Sequence, residues 1–166
     1  MKNKIFLTKE GYDQLLVSID KLYEQLKKNN IQKSKAYDDA VGDGWHDNFD
    51  FEEAVRNEFL IMNEIKEKRN ILNNVEIIED NDKNDDVINL EDIFKIRLFF
   101  EDDDYDDCVF KLVGKYNVKE YKDYQEISLN SPLGISVYKK EINKEFEYQV
   151  DDKRIIKATI LEKIKI

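Results

Sequence analysis

The stretch Tyr12-Asp13-Gln14-Leu15-Leu16-Val17-Ser18-Ile19-Asp20-Lys21-Leu22-Tyr23-Glu24-Gln25-Leu26 sets Tyr12, Leu15, Ile19, Leu22 and Leu26 at spacings of three, four, three and four. That rhythm is the a/d seam of a long helix packed along a partner. Upstream, Thr8 is placed to cap the helix, with Glu10 in the first turn, where the helix dipole favours a carboxylate. Downstream the pattern turns polar at Lys27-Lys28-Asn29-Asn30 and resumes weakly with Ile31, Ala36 and Ala40, so helix is expected to about Ala40. Gly42 and Gly44 then interrupt the chain, and a second periodic run follows with Phe51, Val55, Phe59, Met62, Ile65 and Leu72. Two helices of about 30 and 25 residues would be roughly 45 and 38 Å long. Joined by a short loop, they are expected to fold back as an antiparallel coiled-coil hairpin. The single proline, Pro132, lies far downstream, so nothing in this region breaks a helix.

Beyond Val75 the composition changes. Glu79-Asp80-Asn81-Asp82-Lys83-Asn84-Asp85-Asp86 is hydrophilic throughout and reads as a linker. After it come short apolar runs typical of strands: Ile93 to Phe100, then Cys108 to Val113 across an acidic turn at Glu101–Asp107, then Glu126–Leu129, Glu145–Val150 and Arg154–Leu161. Asp151-Asp152-Lys153 joins the last two. Ser131 followed by Pro132 is a helix start, the serine as cap and the proline as first helical residue, so a short helix should pack across the sheet. The expected organisation is α+β: a hairpin over 1–77, a linker at 78–83, and an antiparallel sheet domain with a short helix over 84–166.

Charged residues make up 39% of the chain and hydrophobic ones 41%, which suits an elongated protein with much exposed surface. A net charge of −10 excludes general binding to duplex nucleic acid, whose phosphates require a basic surface. No apolar run is long enough to span a bilayer, and Met1–Leu7 is too short and mixed for a signal peptide, so a soluble, cytoplasmic protein and a monomer are expected. Cys108 is the only cysteine and has no companion for a disulfide or a zinc site.

Chemistry concentrates in the loop of the hairpin. Asp38, Asp39, Asp43, Asp47, Asp50, Glu52 and Glu53 fall in one stretch that contains no lysine or arginine. Crowded like charge at the end of a rigid arm is locally unfavourable, which points to a cation or a basic cavity as its destination. Carboxylates are hard oxygen ligands suited to Mg²⁺, which takes one or two of them and keeps its waters. Asp43 and Asp47 flank the turn, and Asp50 is a weaker third ligand. Trp45 and Phe49 sit among these acids, where a solvated tip gains nothing from large rings but an inserted one gains anchors. His46 has no second histidine or cysteine beside it and receives no role.

These residues carry a resemblance. Leu7-Thr8-Lys9-Glu10-Gly11-Tyr12, then Gly42-Asp43, then Asp47-Asn48-Phe49-Asp50-Phe51 resembles the hairpin of the Gre family of bacterial transcription elongation factors, whose tip reads Gly-Asp-x-x-Glu-Asn-Ala-Glu-Tyr. Asn130-Ser131-Pro132-Leu133-Gly134-Ile135-Ser136-Val137 resembles the family's C-terminal signature, which opens the short helix of an FKBP-like domain. The resemblance implies an accessory factor rather than an enzyme. It would insert the hairpin into the secondary channel of RNA polymerase, where Asp43 and Asp47, acting in trans, help hold a shared Mg²⁺ and stimulate cleavage of backtracked RNA. Trp45 and Phe49 would touch the channel, and Ser131, Pro132, Leu133 and Gly134 its rim. Nascent RNA and DNA would be reached only indirectly, and prolyl isomerase activity does not follow from the fold.

The tip also departs from the family pattern. Gly44, Trp45 and His46 separate Asp43 from Asp47 where the family has two residues, and Asp47 replaces a glutamate. One alternative is therefore a Gre-like paralogue that occupies the channel and inhibits or modulates transcription without cleavage. Another is a coiled-coil adaptor for a different basic protein. The series Asp80, Asp82, Asn84, Asp86 and Glu91 has the spacing of a calcium loop but carries Asp85 where the turn requires glycine, so it reads as linker.

Overall fold

The computed structural model describes residues 4–39, 48–79, 84–100 and 104–165. Helix α1 spans Lys9–Asp39 and helix α2 spans Phe49–Leu72. The Thr8 hydroxyl accepts from the Gly11 N–H at 3.1 Å and the Thr8 carbonyl from the Tyr12 N–H at 2.9 Å, so Thr8 caps α1 as its sequence suggests. The chain forms two units, one of Asp13–Val75 and one that joins Lys4–Tyr12 to Glu76 onward.

In the first unit the helices run antiparallel: Tyr23 meets Arg69, Lys33 pairs with Glu58, and Tyr37 packs on Phe51. On α1 the buried seam is Leu15, Ile19 and Leu22, continued by half-buried Leu26, buried Asn29 and half-buried Lys33 and Ala36. The rhythm of four and three is unbroken, but it passes through residues that look like an interruption, and Ile31 lies outside it at 51% exposure. On α2 the seam is Phe51, Ala54, Glu58, Ile61, Ile65, Lys68 and Leu72. Val55, Phe59 and Met62, expected to face α1, are exposed instead. The reason is local fit. Small Ala54 lets Asn29 approach, and the Asn29 amide donates to the Ala54 carbonyl at 2.8 Å. Burying an amide is tolerable when it is bonded, and such a group fixes helix register.

In the second unit, β1 (Ile5–Leu7) pairs with β2 (Val75–Ile77), and a five-stranded sheet has the order β5-β4-β3-β7-β6. Its strands are β3 (Ile93–Phe99), β4 (Tyr105–Val113), β5 (Gln125–Ser128), β6 (Glu145–Gln149) and β7 (Ile155–Ile164). The β3–β4, β3–β7 and β6–β7 pairs are antiparallel as expected, but β4 and β5 run parallel, so the sheet is mixed. The connection over 114–124 is long enough to carry the chain back before β5 begins, which a tight hairpin could not do. Strand β4 also starts earlier than the acidic turn suggests. Asp107 sits opposite Arg97, whose guanidinium donates to both carboxylate oxygens at 2.7 and 3.0 Å, and this cross-strand pair extends the ladder into the acidic run.

Alternation along β3 and β6 turns Phe94, Ile96, Leu98, Phe146 and Tyr148 to one face. There they pack with Leu112, Ala158, Ile160, Ile88 and Leu90, and with Val137 from helix α3 (Pro132–Val137). Of the expected linker 78–83, Ile78 packs on this core and donates to the Leu7 carbonyl at 2.9 Å, while 80–83 lie outside the described residues. Asn130 binds both the N–H and the carbonyl of Phe6 at 2.7 Å, as a neighbouring strand would. The root of α1 meets the end of β4 backbone to backbone: a Cβ on Gly11 would stand 2.2 Å from the Gly114 carbonyl oxygen. Glycine inside a helix costs about 1 kcal/mol relative to alanine. Here close approach requires it.

Candidate functional site

The end of the hairpin is built around Asn48. Its side-chain oxygen accepts from the Phe51 N–H at 3.1 Å, capping α2, while its amide donates to the Ala36 carbonyl at 2.7 Å. One residue thus satisfies orphan groups of both helices and holds the last turn of α1 against the first turn of α2. Asp50 and Glu52 lie in that first turn, where the dipole favours them. Asp38 and Asp39 lie in the last turn of α1, which carries no basic residue. Negative charge at a helix C-terminus is unfavourable, by about 0.3–1 kcal/mol for each group. The hairpin therefore sacrifices local stability to concentrate carboxylates at this end.

Asp39, Asp50 and Glu53 share an open groove of about 460 Å³ with Asn29, Gln32, Lys35, Ala36, Ala54 and Asn57. Asp50 is exposed on its wall. Among the described residues no three of histidine, cysteine, aspartate and glutamate converge closely enough to hold a metal ion. Phe49 stays 65% exposed, its ring 5.9 Å from the Arg56 guanidinium. Asp43, Trp45, His46 and Asp47 lie outside the described residues. The acids are plain in the sequence, whereas the double role of Asn48 emerges only in the folded chain. Its capping half has a local signal, an asparagine directly before an apolar and acidic helix start.

The second candidate region is α3. Ser131 accepts from the Gly134 N–H at 3.0 Å and donates through its hydroxyl to the Ser128 carbonyl at 2.8 Å. Gly134 is buried against the end of β5, where a Cβ would lie 2.0 Å from the Ser128 carbonyl oxygen. Leu133 packs toward the core, Ser131 is half-buried, and Pro132 is exposed. Ile135, at 60% exposure, is the apolar side chain that α3 presents outward. The exit of α3 is secured by Lys139 N–H to the Ile88 carbonyl at 2.7 Å and Ile88 N–H to the Lys140 carbonyl at 3.0 Å.

Elsewhere the acidic segments are occupied structurally. Glu91, the last residue of the calcium-like spacing, pairs with Lys111 at 2.7 Å. Cys108 is half-buried on β4, and burial, helped by Asp106 and Asp107, pushes its thiol above the ordinary range. No helix among the described residues is long and apolar enough to cross a membrane.

No family model matches the chain. The transcription elongation factor GreA of Thermosipho africanus is 29% identical to it over 143 residues, which is 86% of this chain and 86% of that protein. Over most of its length the chain is thus similar in sequence to a Gre-type elongation factor. Among solved structures, GreA factor homolog 1 (Gfh1) of Thermus thermophilus is 17% identical, covering 98% of this chain and 100% of that one at a TM-score of 0.45. GreA/GreB of Nitrosomonas europaea is 13% identical, covering 99% and 100% at a TM-score of 0.37. The likeness to GreA rests on the sequence match and not on these superpositions. The acidic hairpin end and α3 are the two regions whose motifs carry the resemblance.

Proposed function

We propose that this protein is a transcription elongation factor that binds RNA polymerase, enters its secondary channel with the hairpin, and stimulates cleavage of backtracked RNA. The observation that carries the reading is the match to GreA over most of both chains, joined to a hairpin whose two helix ends crowd Asp38, Asp39, Asp50, Glu52 and Glu53 around one loop. Asp43 and Asp47 within that loop would offer carboxylates to a Mg²⁺ shared with the polymerase. When bound, that ion supplies charge neutralisation at the attacking and leaving oxygens. The chain's own residues do the positioning. Asn48 holds the helix ends together, Trp45 and Phe49 anchor the tip by apolar contact, and Pro132 and Ile135 on α3 meet the channel rim. An ion that takes only one or two carboxylates from this chain would have its shell completed by the partner and by water.

A second reading is favoured by the tip itself. With three residues between Asp43 and Asp47, and aspartate in place of the family's longer glutamate, the carboxylates need not reach an octahedral ion. The protein would then occupy the channel and slow synthesis. The test is RNA cleavage by stalled, backtracked complexes of the cognate polymerase across a Mg²⁺ series. Shortened transcripts that vanish with Asp43→Ala or Asp47→Ala support the cleavage factor. Slowed nucleotide addition without cleavage supports the blocker, and failure to bind polymerase refutes both.

A further inference from the structure

The face of α2 that the hairpin does not use has the form of a second seam. Glu52, Val55, Phe59, Met62 and Lys66 follow one another at spacings of three, four, three and four, the same rhythm as the buried seam. All five are exposed, Val55 at 40%, Phe59 at 66% and Met62 at 55%. Leaving a phenylalanine and a methionine in water on a helix that already buries another face gains nothing for the hairpin. Neither Glu52 nor Lys66 makes an ion pair among the described residues.

The order of these residues identifies the occupant. Read from either end, the stripe is charge, aliphatic, aromatic, aliphatic, opposite charge, with Phe59 at its centre. We infer that this face pairs with the same face of a second copy, the two α2 helices running antiparallel about Phe59. In that arrangement Phe59 meets Phe59, Val55 lies beside Met62, and Glu52 faces Lys66, each contact made twice by the two-fold axis. A parallel pairing would instead set Glu52 against Glu52 and Lys66 against Lys66. The stripe is complementary to itself in one direction only, which a face shaped for an unrelated partner would have no reason to be. Its area is narrow beside the roughly 800 Å² per partner of a standard interface, so association is weak and appears as concentration rises. A dimer of this kind covers one face of the hairpin and competes with any partner that needs that face.

The experiment is sedimentation equilibrium of the full chain from low to several hundred micromolar, with far-UV circular dichroism to confirm equal helix content in every variant. The wild type should show a monomer–dimer equilibrium that Phe59→Ser abolishes. Glu52→Lys and Lys66→Glu should each weaken self-association by roughly tenfold, because each places like charges opposite one another across the antiparallel pair. A parallel pair, which already opposes like charges in the wild type, would not be weakened by either reversal. An equimolar mixture of the two variants should recover association as a heterodimer, since every facing pair then carries opposite charges. The double variant Glu52→Lys/Lys66→Glu should recover it as a homodimer, because the two ends of the stripe have only exchanged signs. A wild type that stays monomeric throughout, a dimer insensitive to Phe59→Ser or to the single reversals, or a double variant no better than its parents overturns the inference.

Discussion

Replacing Gly134 by alanine puts the packing of α3 to a direct test. The new Cβ would lie 2.0 Å from the Ser128 carbonyl oxygen, 2.9 Å from its carbon and 3.0 Å from the Leu129 Cα, all backbone atoms that cannot swing aside. Helix and strand end would have to part by about 1 Å to restore van der Waals contact. The same residues hold α3 in place through Ser131 N–H to the Ser128 carbonyl at 2.9 Å and the Ser131 hydroxyl to that carbonyl at 2.8 Å. Both bonds would stretch beyond useful length. Overpacking costs about 1–3 kcal/mol and each hydrogen bond about 0.5–1.5 kcal/mol. Alanine's better helix propensity offsets about 1 kcal/mol. The expected net loss is about 2–3 kcal/mol. Hydrogen exchange reports stability region by region and is therefore the suitable assay, read at the amides of β4 and β5 and of the hairpin. Exchange in the sheet should accelerate by roughly 30- to 150-fold while hairpin protection holds. Unchanged or slower exchange in β4 and β5 would refute the close-approach argument.

Asn29→Leu should raise the thermal stability of the hairpin while loosening its register, because the buried amide that bonds the Ala54 carbonyl is the group that selects one alignment. Spin-label distances between positions 21 and 66, in a Cys108→Ser background, should broaden; a single sharp distance would count against it. Lys115→Met leaves the Glu126 carboxylate, 3% exposed, without the ammonium 2.7 Å away. Partial exposure of Lys115 reduces the usual penalty to about 2–3 kcal/mol, and Lys115→Met/Glu126→Leu should recover most of it in urea denaturation. The Arg97 guanidinium, aided by Lys95, holds Asp107 down at about 2 from its ordinary 3.8. The stabilisation from that pair is therefore complete above the ordinary value and is lost as pH falls through the folded one. Carboxyl NMR should show Asp107 titrating at the low value, and Arg97→Met should return it toward 3.8.

Local signals were legible in the amino-acid order alone. Thr8 and Ser131–Pro132 announce helix starts because a cap needs only its own next few residues, and the Tyr12–Leu26 rhythm needs only one helix face. Acid at both helix ends was equally plain, since charge is counted without coordinates. What the order of residues could not decide was which of two apolar faces α2 would bury. Val55, Phe59 and Met62 continue the apolar pattern, yet Ala54, Glu58 and Ile61 share the α1 face with Phe51, Ile65, Lys68 and Leu72, and there Ala54 and Glu58 meet Asn29 and Lys33. The parallel β4–β5 pair, the Gly11–Gly114 contact and the groove shared by Asp39, Asp50 and Glu53 join residues distant in the chain. Periodicity reports what one segment prefers; tertiary packing decides which preferences can be met together.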